Sequence, residues 1–93
     1  MLVATLQVEL LLRDSFSLKE KRFVLQSLKT KIQNRFNVSV AEVDLNEKWH
    51  RASIGFACVS NDRRFLDSQM SKILNAVMQE DRVEVIDQRV EIL

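Results

Sequence analysis

The sequence feature that most constrains the fold is a long alternation of apolar and polar side chains near the start of the chain. From Leu2 to Leu12 every even-numbered residue is apolar, whereas Thr5, Gln7 and Glu9 stand at odd-numbered positions. Successive side chains of a β-strand point to opposite faces, so this alternation predicts a strand with one face in water. The other face needs a core, which the rest of the chain must supply.

The next segment predicts an amphipathic helix over residues 17–37. Ser17 is suited to the N-cap position, and Glu20 stands three residues later, as in a capping box. At the other end, Asn37 can take the left-handed conformation that commonly ends a helix. At 100° per residue, one stripe of the helix is apolar. It comprises Leu18, Leu25, Leu28, Ile32 and Phe36, with Val24 at its margin.

Residues 38–45 predict a strand whose facing is open to two interpretations. Either its odd-numbered residues from 41 onward face the core, or Val38 and Val40 do so and a bulge follows. We favour the first interpretation, because it keeps Glu42 and Asp44 out of the core, where unpaired carboxylates are costly. The residues that it points inward are Ala41, Val43 and Leu45.

The second half of the chain predicts a strand, a helix and a final strand. A polar turn at residues 46–48 leads into a strand over residues 49–59, whose inner face comprises Ala52, Ile54, Phe56 and Cys58. Asn61 can cap the second helix, and Asp62 suits the positive end of its dipole. After a break at Glu80 and Asp81, residues 82–92 predict the last strand. The second helix has an apolar stripe of Leu66, Met70, Ile73, Leu74 and Val77.

The resulting order of elements is β-α-β-β-α-β. Right-handed crossovers then place both helices on one face of a four-stranded antiparallel sheet. The sequence therefore predicts an α+β, ferredoxin-like fold, and no linker or repeat divides residues 1–93 into more than one domain.

The composition excludes several kinds of site. Cys58 is the only cysteine, so the chain forms no internal disulfide and no thiolate metal cluster. His50 lies eight residues away on the same predicted strand, roughly 26 Å at strand rise, so the two side chains cannot share an ion. The N-terminal run is broken by polar residues and has no basic leader, so we expect neither a signal peptide nor a membrane span. We predict a cytoplasmic protein without metal, cofactor or small-molecule substrate.

Catalytic motifs are also missing from the sequence. No serine is framed by glycines, and a buried cysteine would be inert. This fold class includes acyl-phosphate hydrolysis, which uses a glycine-rich loop with an arginine after the first strand. Here that segment contains Arg13 but no glycine, and Asp14 would repel a phosphate. We therefore predict that the protein is not an enzyme.

Basic charge is concentrated in the first part of the chain. Residues 1–36 hold seven Lys and Arg against three Asp and Glu (+4), whereas residues 37–93 hold seven against ten (−3). The outward residues of the two predicted central strands include no aromatic platform on which bases could stack. We therefore predict that any RNA contact is made by the first helix. Its candidate residues are Lys19, Lys21, Arg22 and Lys29, although a solvated helix face has the same composition.

An alternative is a homodimeric or protein-interaction module without a nucleic-acid role. Such a module would use the open sheet face or an edge strand, and an apolar sheet face is a common association surface. The candidate surface lies around the predicted hairpin, where Glu42 and Asp44 are expected to pair with Arg51 across the strands. The residues assigned to it are Trp49, Arg51, Glu42 and Asp44.

Several segments resemble the bacterial YlxP-like family, small domains of unknown function. They are residues 17–22 (Ser-Leu-Lys-Glu-Lys-Arg), residues 34–44, Trp49 with residues 51–52, and residues 59–62. The resemblance implies a ferredoxin-like fold. Because family members are often encoded near translation-initiation and ribosome-maturation genes, it also implies a link to RNA or ribosomes. It supplies no catalytic residues. The chain departs from the family at residues 13–16, where many members have Pro or Gly, and at residues 45–48.

Overall fold

The computed structural model describes residues 1–44 and 48–93, and its elements follow the predicted β-α-β-β-α-β order. The strands form one antiparallel sheet in the order β2-β3-β1-β4, which confirms the ferredoxin-like fold. The elements are β1 (Leu2–Leu12), α1 (Leu18–Arg35), β2 (Ser39–Glu42), β3 (Arg51–Ser60), α2 (Arg63–Met78) and β4 (Val83–Ile92).

The core lies between the sheet and the two helices, and β1 runs through its centre. The even-numbered residues from Ala4 to Leu10 are fully buried, as the alternation predicts. On one side Leu6 lies opposite Phe56 of β3, and on the other side it lies opposite Val90 of β4. The inner face predicted for β3 is confirmed by the burial of Ala52, Ile54, Phe56 and Cys58.

The start of α1 is capped as predicted. The Ser17 hydroxyl accepts a hydrogen bond from the Glu20 amide at 3.1 Å, and the Glu20 carboxylate accepts one from the Phe16 amide at 2.9 Å. The end differs from the prediction, because Asn37 is not left-handed. Phe36 caps the helix in an extended conformation, and its amide donates to the Ile32 carbonyl at 2.8 Å. Among the described residues, only Asp14 has a positive φ, of 54°.

The interpretation that we favoured for the strand at residues 38–45 is wrong. Val38 and Val40 pack against the core, whereas Ala41 and Val43 are exposed. Glu42 lies opposite the buried Ile54, on the helix side of the sheet. Its carboxylate is 3.7 Å from the Lys21 ammonium, so the cost of an unpaired charge, on which the prediction depended, does not arise. Leu45 and residues 46–47 of the predicted turn lie outside the described residues.

Val43 lies instead on the open face of the sheet, over the only glycine in the chain. A Cβ atom at Gly55 would be 2.8 Å from Cγ1 of Val43, closer than packed carbon atoms approach each other. The glycine therefore leaves room for the Val43 side chain on the open face of the sheet.

The second helix begins one residue later than its predicted cap. Asp62, not Asn61, is the N-cap, and its carboxylate accepts hydrogen bonds from the amides of Arg64 and Phe65 at 2.9 and 3.4 Å. A carboxylate at this position satisfies two orphan amides and also faces the positive end of the helix dipole. Leu66, Met70, Ile73 and Val77 are buried as predicted, whereas Leu74 is half-buried.

Candidate nucleic-acid interface

The solvent side of α1 is rich in cations. We define the basic face as Lys19, Arg22, Phe23, Gln26 and Lys29, which repeat at helical spacing opposite the buried stripe. Four of these side chains are exposed, and Lys29 is half-buried. The sequence contains no carboxylate between Glu20 and Glu42, and Glu42 is paired with Lys21. The basic face therefore carries positive charge that no acidic residue of the same helix offsets beyond its first turn.

Lys21 does not lie on the basic face, although the sequence assigned it to RNA contact. Its residue exposure is 3%, and its ammonium donates to the carbonyl oxygen of Lys48 at 3.0 Å. The same nitrogen is 3.7 Å from a carboxylate oxygen of Glu42. The amine therefore joins the start of α1 to both sides of the β2–β3 connection. The other three assigned residues, Lys19, Arg22 and Lys29, remain accessible.

Two further cations of α1 lie away from the basic face. Lys31 is exposed on the side of the helix that faces Glu80. The guanidinium of Arg35 lies over the ring of Phe36, 5.3 Å from its centroid, at the end of the helix. Both add positive potential to the helical layer without extending the basic face itself.

A cleft of about 750 Å³ opens at the first turn of α1. Phe23 is among its lining residues. The charged residues of the lining are the cations Arg13, Lys19 and Arg82 and the carboxylates Asp14, Glu20 and Asp81. The Arg13 guanidinium donates to the Asp81 carbonyl at 3.4 Å, which links the loop after β1 to the start of β4. The Phe23 side chain is 70% exposed. Because three cations and three carboxylates line the cleft, its contribution to RNA contact is the exposed ring, the kind of surface on which an unpaired base stacks.

A second ion pair supports the cleft. The guanidinium of Arg82 is 2.7 and 3.0 Å from the two carboxylate oxygens of Glu80, and it also donates to the Ser27 hydroxyl of α1 at 3.1 Å. The side-chain hydrogen bonds from Arg82 lower the pKa of Glu80 from 4.5 to about 2, against the opposing effect of burial. The bidentate geometry fixes the loop between α2 and β4 against α1.

The lowered pKa of Glu80 predicts an acid-sensitive contribution to stability. A carboxyl with a lower pKa in the folded state adds stability above its unfolded pKa, near 4.5, and loses it as the pH falls toward 2. We expect Glu80→Gln to remove about 1–2 kcal/mol at neutral pH, a value reduced for solvent screening because Arg82 is 39% exposed. Urea unfolding at pH 7, 4 and 2.5 measures the difference, which should shrink toward the lowest pH. A difference that stays constant across this range would contradict the assignment.

The open face of the sheet has the opposite charge. Glu9 lies there because it alternates with the buried Val8 and Leu10. Asp87 and Glu91 lie on the same face because they pair with Glu9 and Thr5 of β1. The hydroxyl of the buried Ser53 donates a hydrogen bond to the carboxylate of Glu9. Arg51 and Arg89 are the cations on the described part of this face, and no aromatic side chain lies on it. A polyanion would therefore be repelled from much of this face.

The four residues predicted as an interaction surface do not form one patch. Glu42 lies on the helix side of the sheet, whereas Arg51, opposite Leu11, lies on the open side, so their predicted cross-strand pairing is wrong. Trp49 is half-exposed in the turn before β3, and Asp44 is exposed beyond the end of β2.

The remaining polar side chains show no metal centre. Within residues 1–44 and 48–93, no three His, Cys, Asp or Glu side chains converge so that they could hold a metal ion. Cys58 is buried, its thiol donates to the Asn37 carbonyl at 3.6 Å, and the Gln69 amide lies 3.7 Å from its sulfur. No helix in the described ranges is long and apolar enough to cross a membrane.

Comparison with known proteins agrees with the resemblance read from the sequence. Residues 3–90 match the family described as Protein of unknown function (DUF503). The uncharacterized protein YlxP of Bacillus subtilis (strain 168) is 40% identical over 68 residues, which cover 73% of this chain and 74% of that protein. The structured domain of Drosophila melanogaster Boca shares the fold, with a TM-score of 0.60 at 13% identity over 94% of this chain and 95% of that one. The chain therefore belongs to the DUF503 family, whose function is unknown.

Proposed function

We propose that this protein is a non-catalytic, cytoplasmic module that binds single-stranded RNA through the basic face of α1. The observation that carries the proposal is the separation of charge between the two sides of the molecule. The helical layer presents Lys19, Arg22 and Lys29 to solvent. Among the charged residues of the open sheet face, carboxylates (Glu9, Glu84, Asp87 and Glu91) outnumber cations (Arg51 and Arg89). A polyanion would approach such a molecule from the helical side.

The exposed ring of Phe23 favours RNA over an acidic protein as the polyanion. The Phe23 side chain is 70% exposed and stands four residues after Lys19, so the two lie on the same face of the helix. Cations hold a phosphate backbone while a neighbouring ring stacks a base, which is how proteins bind unpaired strands. The proposal agrees with the link to RNA or ribosomes that the family resemblance implies.

Charge reversal on the basic face tests the proposal. We expect the variant Lys19→Glu, Arg22→Glu, Lys29→Glu to bind a labelled, mixed-sequence, single-stranded RNA at least about tenfold more weakly than the parent. Loss of three phosphate contacts should also reduce the slope of log K against log salt concentration by about 2, because each contact to a single strand contributes about 0.7. Fluorescence anisotropy at four salt concentrations measures both quantities.

The chain offers a matched control on its second helix. Arg63, Arg64 and Lys72 are exposed on α2, and reversing all three changes the net charge by the same amount. We expect this control to keep most of the affinity and the full salt slope. Equal losses in both variants would mean that only net charge matters, and a parent that binds no RNA would refute the proposal outright.

A further inference from the structure

The outer edge of β4 is an unpaired strand edge. In the order β2-β3-β1-β4, this strand pairs only with β1, and its ten residues contain neither proline nor lysine. Natural proteins commonly protect long edges with those residues, with bulges or with covering loops. A register shift opposite Glu9 and Leu10 protects the first half of β4, but the second half, residues 87–92, is regular. Val90, in this regular half, is 49% exposed.

The backbone polarity of this edge follows from the end of the ladder. Val3 and Leu93 exchange both of their backbone hydrogen bonds, at 3.2 and 2.8 Å. In an antiparallel ladder such hydrogen-bonded pairs alternate with non-hydrogen-bonded pairs. Glu91 and Arg89 therefore direct their amides and carbonyls toward β1. Gln88, Val90 and Ile92 direct theirs outward, away from β1. The Gln88 amide donates within the chain to the Asp87 carboxylate at 2.8 Å.

We infer that β4 pairs antiparallel with β4 of a second copy of the chain, about a two-fold axis at Val90. In this register Val90 lies opposite Val90 of the partner subunit, and Gln88 lies opposite the partner's Ile92. The outward residues of each copy then exchange backbone hydrogen bonds, for which the Gln88 amide leaves the Asp87 carboxylate, and the two exposed valines cover each other. The two sheets become one continuous eight-stranded sheet, four strands from each copy.

Charge complementarity selects this register. The residues between the hydrogen-bonded pairs place Arg89 opposite the partner's Glu91, and the symmetry repeats this pair, so two ion pairs lie on the open face. An axis at Arg89 would instead place Arg89 against the partner's Arg89 and Asp87 against the partner's Glu91, with like charges directly opposed. An axis at Gln88 would place the partner's Val90 opposite Ile86, where the pairing of β4 with β1 is irregular.

This inference is independent of RNA binding, because α1 does not lie at the β4 edge. The sequence suggested a dimer through the open sheet face or an edge strand, and the inference commits to one named edge and register. The open face carries charges of both signs and the exposed valines Val43 and Val59, whereas the edge of β4 offers outward backbone groups beside an exposed valine.

A charge swap across the edge tests the dimer. Arg89 lies opposite Gln7 and Glu91 opposite Thr5 within the chain, so exchanging the two charges disturbs no ion pair inside a subunit. We expect the parent to sediment as a dimer and Arg89→Glu to raise the dimer dissociation constant by about tenfold or more. The double variant Arg89→Glu, Glu91→Arg should restore dimerisation. Circular dichroism checks that each variant is folded.

Proline at the edge gives a second, independent measurement. Val90→Pro removes an amide that points outward, so the hydrogen bonds between β1 and β4 are kept. The proposed dimer loses the two hydrogen bonds that Val90 and Val90 of the partner subunit exchange. We expect this variant to be monomeric. A parent that stays monomeric at millimolar concentration would overturn the inference, as would a dimer that neither Arg89→Glu nor Val90→Pro weakens.

Discussion

Replacing Lys21 with alanine is expected to lower the free energy of unfolding by about 3 kcal/mol, the largest effect of any charged residue on the helices. The reason is its position, with 3% residue exposure and an ammonium bound to the Lys48 carbonyl beside the Glu42 carboxylate. Truncation leaves a cavity where the side-chain stem packs and deprives Glu42, which is only 32% exposed, of its counter-charge. It also frees the start of α1 from the β2–β3 connection.

Two variants separate the causes of that loss. Lys21→Met keeps the stem and removes only the charge, so we expect a smaller loss of about 1–2 kcal/mol. Lys19→Ala, at an exposed position two residues away, should cost less than about 0.5 kcal/mol. Urea unfolding at pH 7 measures all three. The role assigned to Lys21 is wrong if Lys21→Ala is as stable as Lys19→Ala. At a temperature where Lys21→Ala is folded, its RNA affinity should equal that of the parent.

The second large effect concerns RNA rather than stability. We expect Phe23→Ala to weaken the binding of single-stranded RNA by about 1–3 kcal/mol, the contribution of one stacked base, or roughly 5- to 150-fold. Stability should hardly change, because Phe23 is 70% exposed and packs little against the core. Unlike the charge reversals, this change should leave the salt slope unaltered, since a stacked ring releases no counterions.

The matched control for Phe23 is Phe65, which is 47% exposed on α2. Phe65→Ala should leave RNA affinity unchanged, and Phe23→Trp should preserve it, because the indole ring also stacks on bases. Anisotropy titrations with the same RNA give all four affinities. If Phe23→Ala and Phe65→Ala bind as well as the parent, stacking plays no part and the cations act alone.

Features that depend on local pattern were predictable from the sequence. The alternation in β1 and the capping box at Ser17 each lie within a few neighbouring residues, and both are confirmed. The helix ends were less predictable, because Asn37 and Asn61 have suitable chemistry but lie beside better alternatives. Asp62 supplies a charged cap for two amides, and after Phe36 the chain leaves α1 in an extended conformation.

The facing of β2 could not be predicted from its own residues. The prediction depended on whether the Glu42 carboxylate could face the core. The cation that pairs with this carboxylate, Lys21, lies on the preceding helix. A lysine inside an apolar helical stripe and a carboxylate on the following strand form a signal for such a pair, but only when the two are considered together. Lys21 was assigned to RNA contact for a related reason. A lysine whose amine is buried and a lysine whose stem is buried while its amine reaches water have the same sequence pattern.

The candidate site was predictable in part. Helical spacing places Phe23 nearly opposite the apolar stripe, which predicts the exposed ring that the structure shows. Its place in the cleft depends on Arg13 and Asp81, which only the fold brings together. The β4 edge had no signal in the sequence beyond a strand without lysine or proline. The order of strands and the hydrogen bonds of Leu93 are needed to show which amides face outward.

The most direct test of RNA binding by the basic face is a map of the contact surface by NMR. The 93-residue chain, labelled with ¹⁵N and titrated with a short single-stranded RNA, reports the perturbation of each amide. We expect the largest shifts in α1, at Lys19, Arg22, Phe23 and Lys29, with little change at Gln7, Ser53 and Arg89 on the open sheet face. Shifts concentrated on the open sheet face, or no shifts at all, would contradict the account.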